Sequence, residues 1–523
     1  MSTSSAHNPW SSACAAVALT LTVGACFDHT LEPVAPCVTR GSVGTWVGTG
    51  IDKVDLLFMV DNSGSMSEEQ ASLGTELPRL VRVLTTGDRT GDGLTPDDFP
   101  PVRSLHLGVV TSDMGVAGFN VATCTRAAMF GDDGLLRAVG NTSLAGCMAT
   151  YPSFLEYLPG VTPQTPDDFG NEFRCVAMAG VSGCGFEQQL EAMLKAVTPA
   201  TSSTSFFART RGHGDAENAG FLRDDSVLAL VLVSDEEDCS IAEGAAEIFN
   251  VSSTTYTGDL NLRCFLYKEA QYPVQRYIDG FKALRAGRED LLVFGAIIGV
   301  PLDLVSEGTP NYDAILADPR MVEQVDTSPG STGLRLVPSC NVPGRGIAFP
   351  PRRIVEVAKG FGTYGAVESI CQESFTSAID GILTKIARTL DDELCVPRRL
   401  PVTVTDSRLI ACAVIEVLPP PGTTLELPSS CAALAGAEPT PVRVNVDGSI
   451  ECRMVQLPTS GSTPSGLGWY YDDFSTTTRD ACGDAGQRVA FTAGALPHRY
   501  VTLNLECLER TPSGAADDTT CVD

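Results

Sequence analysis

The chain has 523 residues, a formal net charge of −28, a charged fraction of 19% and a hydrophobic fraction of 43%. That length allows two or three domains, and the hydrophobic share is that of a folded chain. The acidity argues against nucleic-acid backbones and anionic membranes as partners. The 18 cysteines are dispersed with no Cys-x-x-Cys pair, which argues against zinc ribbons and for an oxidising, extracytoplasmic compartment.

Ala13 to Ala25 is an apolar run too short to span a bilayer, and it ends in Val23-Gly24-Ala25-Cys26. Residues 1–26 resemble a signal peptide with a lipobox, which implies lipidation of Cys26. No Lys or Arg precedes the run, a departure from the usual signal, and ordinary secretion is the alternative. The expectation is a protein of the bacterial cell envelope, at the outer membrane or cell surface, with the lipid as its only membrane attachment. Residues 27–51 read as a tether.

Val54 to Val60 reads as a strand buried on both faces in the middle of a parallel sheet. It runs into Asp61-Asn62-Ser63-Gly64-Ser65-Met66. A tight turn there aims Asp61, Ser63 and Ser65 into one small volume, and oxygen-only ligands suit a hard cation. The other reading is a polar turn that caps the helix starting at Ser67-Glu68-Glu69-Gln70. The Asp-x-Ser-x-Ser pattern resembles the metal-ion-dependent adhesion site of von Willebrand factor type A domains. That resemblance implies a doubly wound, mostly parallel α/β sheet holding Mg²⁺, with Mn²⁺ or Ca²⁺ as substitutes.

An amphipathic helix is expected over Glu68–Leu84. Asp88, Thr90 and Asp92 then match the opening of a calcium loop, although Phe99 stands where the bidentate Glu belongs. A solvated turn is the alternative. Leu105–Thr111 is a second buried strand, ending in Ser112-Asp113. Val116 to Asn171 reads as an irregular insertion, stapled by Cys124–Cys147 and overhanging the metal face.

Gly180-Val181-Ser182-Gly183-Cys184 leads into a helix reaching about Val197. The resemblance implies that Ser182 takes the place of a ligating Thr; the bland reading is an N-cap serine. Asp225–Val233 is a third buried strand, ending in Ser234-Asp235. The resemblance implies Asp235 as the last ligand, with Asp113 and Glu236 behind the ligands. In open parallel sheets, ligands bind beyond the carboxyl ends of the strands. A helix over Tyr272–Ala286, a strand over Leu291–Ile298, a helix over Arg352–Lys359, an edge strand over Val367–Ile370 and a helix over Ser374–Leu390 complete a domain of residues 52–394.

From residue 396 to 523 the texture is that of a small all-β module, with strands at Pro401–Thr405, Ala411–Val417 and Tyr500–Leu505. The expected disulfides are Cys37–Cys395, Cys175–Cys184, Cys239–Cys264 and Cys340–Cys371, with the cysteines from Cys412 to Cys521 pairing inside the module. No Gly-x-Ser-x-Gly, His-Glu-x-x-His or phosphate-binding Gly-rich loop occurs, and the 5 histidines are scattered. The expectation is therefore not an enzyme. It is a lipid-anchored protein that binds an Asp or Glu carboxylate of a protein partner through its cation, for adhesion or scaffolding. The alternatives are an envelope protein whose metal only stabilises the fold and, third, a metal-dependent hydrolase.

Overall fold

The computed structural model describes residues 38–47, 52–89, 101–124, 129–305, 310–329, 331–343, 346–390 and most of 394–510 apart from 421–427 and scattered positions. The chain divides into two units, Ser42–Cys507 and a smaller one of Met1–Gly41 with Leu508–Asp523. The larger unit is described below. Cys26, Cys37, Thr90, Asp92 and Cys521 lie outside the described residues.

The frame is a six-stranded sheet. Its strands in chain order are β1 Lys53–Val60, β2 Ser104–Thr111, β3 Leu155–Tyr157, β4 Val227–Val233, β5 Leu292–Ile298 and β6 Gly365–Ser369. Across the sheet they run β3-β2-β1-β4-β5-β6. All pairs are parallel except β3, which lies antiparallel to β2. The order reverses between β1 and β4, which is where such sheets open a crevice at their carboxyl edge.

Side chains alternate across a strand, so β1 feeds two cores. Leu56, Phe58 and Val60 pack with Leu73, Phe173 and Ile382 of helices α1 Ser67–Thr86, α2 Pro166–Ala177 and α6 Thr376–Leu390. Leu57 and Met59 pack with Leu194, Phe281 and Val355 of α3 Gln189–Val197, α4 Gln275–Ala283 and α5 Arg352–Gly360. Each such fully buried side chain contributes about 1.5–3 kcal/mol. The result is an α/β fold with helices on both faces of a mostly parallel sheet.

One polar residue interrupts the apolar run of β1. Asp55 is fully buried and accepts from Arg223 Nε at 2.7 Å and from the Arg223 amide at 2.7 Å. This clasp closes the amino edge of the sheet. His106 of β2, also buried, lies 2.8 Å by Nδ1 from the Phe221 carbonyl, so a backbone partner accounts for it.

Several expectations are corrected. Val116–Asn171 is not wholly irregular, because it contains β3 and the start of α2. Thr165 caps α2 by accepting from the Asp168 amide at 3.2 Å, with Pro166 at the first helical position and acids in the first turn. Val38–Val47, read as tether, is a strand. Among the described residues of Pro401–Thr405, the pairing is the bridge Val402–Ile410 and not a named strand.

Three expected disulfides are replaced. Cys124 pairs with Cys184 and Cys147 with Cys175, so neither Cys124–Cys147 nor Cys175–Cys184 forms. Cys395 pairs with Cys482, which rules out Cys37–Cys395 and takes one cysteine out of the module's internal set. The physical reason is chain path: α2 carries Cys175 away from the Gly180 loop, so neighbours in sequence part in space. Cys239–Cys264 and Cys340–Cys371 form as expected, and Cys412–Cys507 and Cys431–Cys452 stay within the module. Seven disulfides among the described residues fit an oxidising, extracellular environment. No helix among the described residues is long and apolar enough to cross a membrane.

The C-terminal strands form small antiparallel sheets. Cys412–Leu418 lies between Ile450–Arg453 and Thr502–Arg510, and Arg488–Phe491 between Leu394–Cys395 and Trp469–Asp472. Trp469, Val414, Leu503 and Leu505 share their core.

Candidate functional site

The site forms where β1 and β4 end. The Asp61 amide donates to the Val233 carbonyl at 3.0 Å, the last rung between the two strands. Beyond it the Asp61 side chain is fully buried. Its Oδ1 accepts from the Ser63 amide at 2.9 Å and from Ser112 Oγ at 3.0 Å, and its Oδ2 accepts from Ser234 Oγ at 2.6 Å. Burial pushes the Asp61 carboxyl above its usual range, and the hydrogen bonds from Ser234, Ser63 and Ser112 oppose that push.

Ser63 and Ser65 share a 3.2 Å hydroxyl–hydroxyl hydrogen bond, and Ser65 Oγ donates to Asp235 Oδ1 at 3.2 Å. Asp235 is fully buried, and its second oxygen, Oδ2, has no hydrogen-bond partner among the described residues. Burial first, then the charges of Asp61 and Glu69, raise its carboxyl to about 8. Asp61, Ser63, Ser65 and Asp235 thus form one connected cluster.

Ser182 sits on the loop that borders this cluster, with its side chain exposed. The Gly183 amide next to it donates to the Asn62 carbonyl at 2.7 Å, and Gln70 holds Gly180 through both its amide and its carbonyl. Gly183 is required there, because a Cβ would overlap Asn62 Oδ1. The Cys124–Cys184 disulfide fixes the far end of the loop.

Asp113 is one step removed. Its Oδ1 accepts from the Gly115 amide at 2.9 Å, and its backbone bridges Glu187. Glu236 is half-buried; burial, then Glu187, Asp235 and Asp61, push its carboxyl well above the usual range. Glu187 is raised likewise, by burial and then by Asp61. Glu237 and Asp238 face elsewhere: Glu237 accepts from the Arg353 amide, and Asp238 accepts from the Leu190 amide and pairs with Arg353. Asp88 is buried beside the end of α1 with its amide on Thr86 Oγ1, while Thr90 and Asp92 lie outside the described residues.

Sequence reasoning missed Ser112, Ser234, Glu187 and Glu69. The repeated Ser-Asp doublet at Ser112-Asp113 and Ser234-Asp235 was the available signal for the hydroxyls. Glu69 lies in the first turn of α1; burial and then the charges of Glu68 and Asp61 raise it to about 7.

The donor set is carboxylate and hydroxyl oxygen throughout, which suits a hard cation and suits neither a soft metal nor zinc. No group of three or more His, Cys, Asp or Glu in metal-holding geometry occurs among the described residues. Fold and cluster together define an α/β sheet protein with a buried acid–hydroxyl centre at its topological switch point. No family model matches the chain, and no curated protein matches it. Among solved structures it is similar to a von Willebrand factor type A protein from Catenulispora acidiphila, at 9% identity and a TM-score of 0.26. That match covers 91% of this chain and 66% of the other, just under two thirds. A TM-score that low does not establish a shared fold.

Proposed function

We propose that the chain is an exported protein of the von Willebrand factor type A kind that binds a protein partner through a divalent cation. Asp61, Ser63, Ser65, Ser182 and Asp235 would hold the ion, Mg²⁺ in the first place, with Mn²⁺ or Ca²⁺ able to replace it. The observation that carries this reading is the buried cluster of Asp61 and Asp235, in which Asp235 Oδ2 has no hydrogen-bond partner among the described residues. A buried ionised carboxylate is costly unless paired, and a cation supplies the missing charge. When bound, the ion offers an open coordination position to an incoming Asp or Glu side chain. Ser65 and Ser182 are exposed, so that position is reachable from solvent.

The role of this chain's residues is to hold and orient. Ser234 and Ser112 fix Asp61, Gln70 and the Gly183 amide fix the Ser182 loop, and the Phe349 amide fixes the Asp235 carbonyl at 2.8 Å. In this reading the protein is a binding protein and not an enzyme, and Cys26 tethers it to the envelope by lipid.

The complete burial of Asp61 and Asp235 favours a second reading, in which the metal only stabilises the fold. The test is binding of the full chain to a randomised peptide library containing one Asp or Glu, against the matching Asn or Gln library. Retention of the acidic library in Mg²⁺ but not in chelator supports the adhesive reading. Equal retention of both libraries contradicts it and leaves the stabilising role. Turnover of esters or peptides by the same preparation would favour a hydrolase instead.

A further inference from the structure

Lys195 of α3 has no exposed surface, and its Nζ lies 2.5 Å from Asp133 Oδ1. Thr210 Oγ1 accepts from the same Nζ at 2.9 Å, and the rings of Phe130 and Phe206 flank it with centroids 5.9 and 5.7 Å away. The turn that presents Asp133 is seated tightly on α3. A Cβ on Gly134 would crowd the Ala192 carbonyl, and Asn218 donates to the carbonyls of both Gly134 and Ala196. His213 Nε2 stands 3.1 Å from the other carboxyl oxygen, Asp133 Oδ2, while its Nδ1 lies 2.6 Å from Glu217 Oε2. Only an imidazolium, with two N–H groups, donates to both.

An amine, a carboxyl group and a proton donor are thus held in one enclosed contact. We propose that Lys195 and Asp133 condense to an intramolecular isopeptide bond, with His213 as the proton donor. This stands apart from the cation reading. Lys195 Nζ gives up two protons, the Cγ–N bond forms, and the Cγ–Oδ2 bond breaks. His213 protonates the departing Oδ2 and is reprotonated by one of the two protons from Nζ. The other completes the water that leaves, so no oxidant or further reactant is needed. Fixed contact supplies effective molarities of about 10⁵–10⁸ M to such a step. The Asp133 side chain keeps 19% of its surface exposed, which gives the water an exit. Until the bond closes, the two groups remain an ion pair. Once closed, it ties positions 62 apart in the chain by a strap that reducing agents do not open.

The experiment is tryptic digestion of the reduced and alkylated full chain, read by tandem mass spectrometry. Residues 127–137 should emerge joined to residues 175–209, one water lighter than the two together and uncut after Lys195. Fragment ions should place the link between Asp133 and Lys195. Separate peptides, with cleavage after Lys195, overturn the proposal and leave an ordinary buried ion pair; the unaltered chain decides this without any variant. Lys195→Arg keeps the charge but not the nucleophile, and a link that persisted there would overturn the proposal equally. Freshly purified His213→Gln should give mostly separate peptides that become joined on standing. Complete joining from the outset in that variant would overturn the role of His213.

Discussion

Ser234 donates a 2.6 Å hydrogen bond to Asp61 although 173 positions separate them in the chain. Each is the first residue beyond its strand, so the bond exists only when β1 and β4 are paired in register. Gln189 in turn donates to Ser234 Oγ at 2.9 Å, which ties α3 to the same point. Ser234→Ala should cost ~1.5–3 kcal/mol, as expected for a hydrogen bond to a charged group. It should also weaken divalent-ion affinity by about tenfold or more, because Asp61 loses an orienting partner. Urea unfolding and calorimetry on the same variant check both; an unchanged affinity would show that Ser234 does not position Asp61.

Gly183→Ala tests the docking of the Ser182 loop. The new methyl group meets Asn62 Oδ1, and overpacking of this kind costs ~1–3 kcal/mol. Cation affinity should fall more than global stability, since the loop carries a proposed ligand but little core. Equal falls in both, or neither, would argue against a role for this loop at the site.

The Cys124–Cys184 disulfide closes a loop with a sequence separation of 60. Chain entropy assigns such a closure about 4 kcal/mol as an upper figure. Peptide mapping without reduction should recover Cys124 joined to Cys184 and Cys147 joined to Cys175. Recovery of Cys124–Cys147 would contradict the chain path around α2.

Lys195 is fully buried on α3, with Nζ 2.5 Å from Asp133 Oδ1 and donating to Thr210 Oγ1 at 2.9 Å. The loop carrying Asp133 also carries Asp132, which accepts from Thr111 at 2.6 Å, so the pair anchors that loop to the sheet. Lys195→Met removes one partner and should cost ~3–5 kcal/mol. Asp133→Asn should do comparable damage. Chemical denaturation reads both, and a change below about 1 kcal/mol would place the pair among weak surface-type bridges.

His213 shares Asp133. Burial alone would lower its pKa, but hydrogen bonds to Asp133 and Glu217 outweigh that burial and the opposing charge of Lys195, and hold it above 6.5. A folded pKa above the unfolded one means protonation is favoured in the folded state. The resulting stability is fully present below pH about 6.5 and is lost as pH rises through the folded pKa. Melting temperature against pH should therefore fall over that interval in the unaltered protein. It should fall less steeply in His213→Asn, because the raised Asp235 and Glu69 carboxyls keep part of the slope. Equal slopes, or a rise over the interval, would contradict the assignment.

The parallel strands were legible because residues buried on both faces leave a continuous apolar run, as in Val227–Val233. Asp61, Ser63, Ser65 and Asp235 were legible because polar residues interrupt such runs abruptly at strand ends. What stayed hidden depends on paths between elements. α2 was concealed in a Gly- and Pro-containing stretch, although Thr165-Pro166-Asp167-Asp168 is a helix-start pattern. The disulfides of Cys124 and Cys147 follow that path, and Cys395–Cys482 follows the pairing of Leu394–Cys395 with Arg488–Phe491, not sequence proximity. Glu69 looked like an ordinary acid in the first turn of a helix, a position acids favour anyway. Its enclosure, at 4% exposure, shows only in the folded chain.

The most direct test of the central claim is anomalous diffraction from crystals of the full chain grown with Mn²⁺. One strong peak is expected, bounded by oxygens of Ser63, Ser65 and Asp235 and absent from crystals of Asp61→Ala. A well-ordered site at saturating Mn²⁺ with no peak between these residues would contradict it.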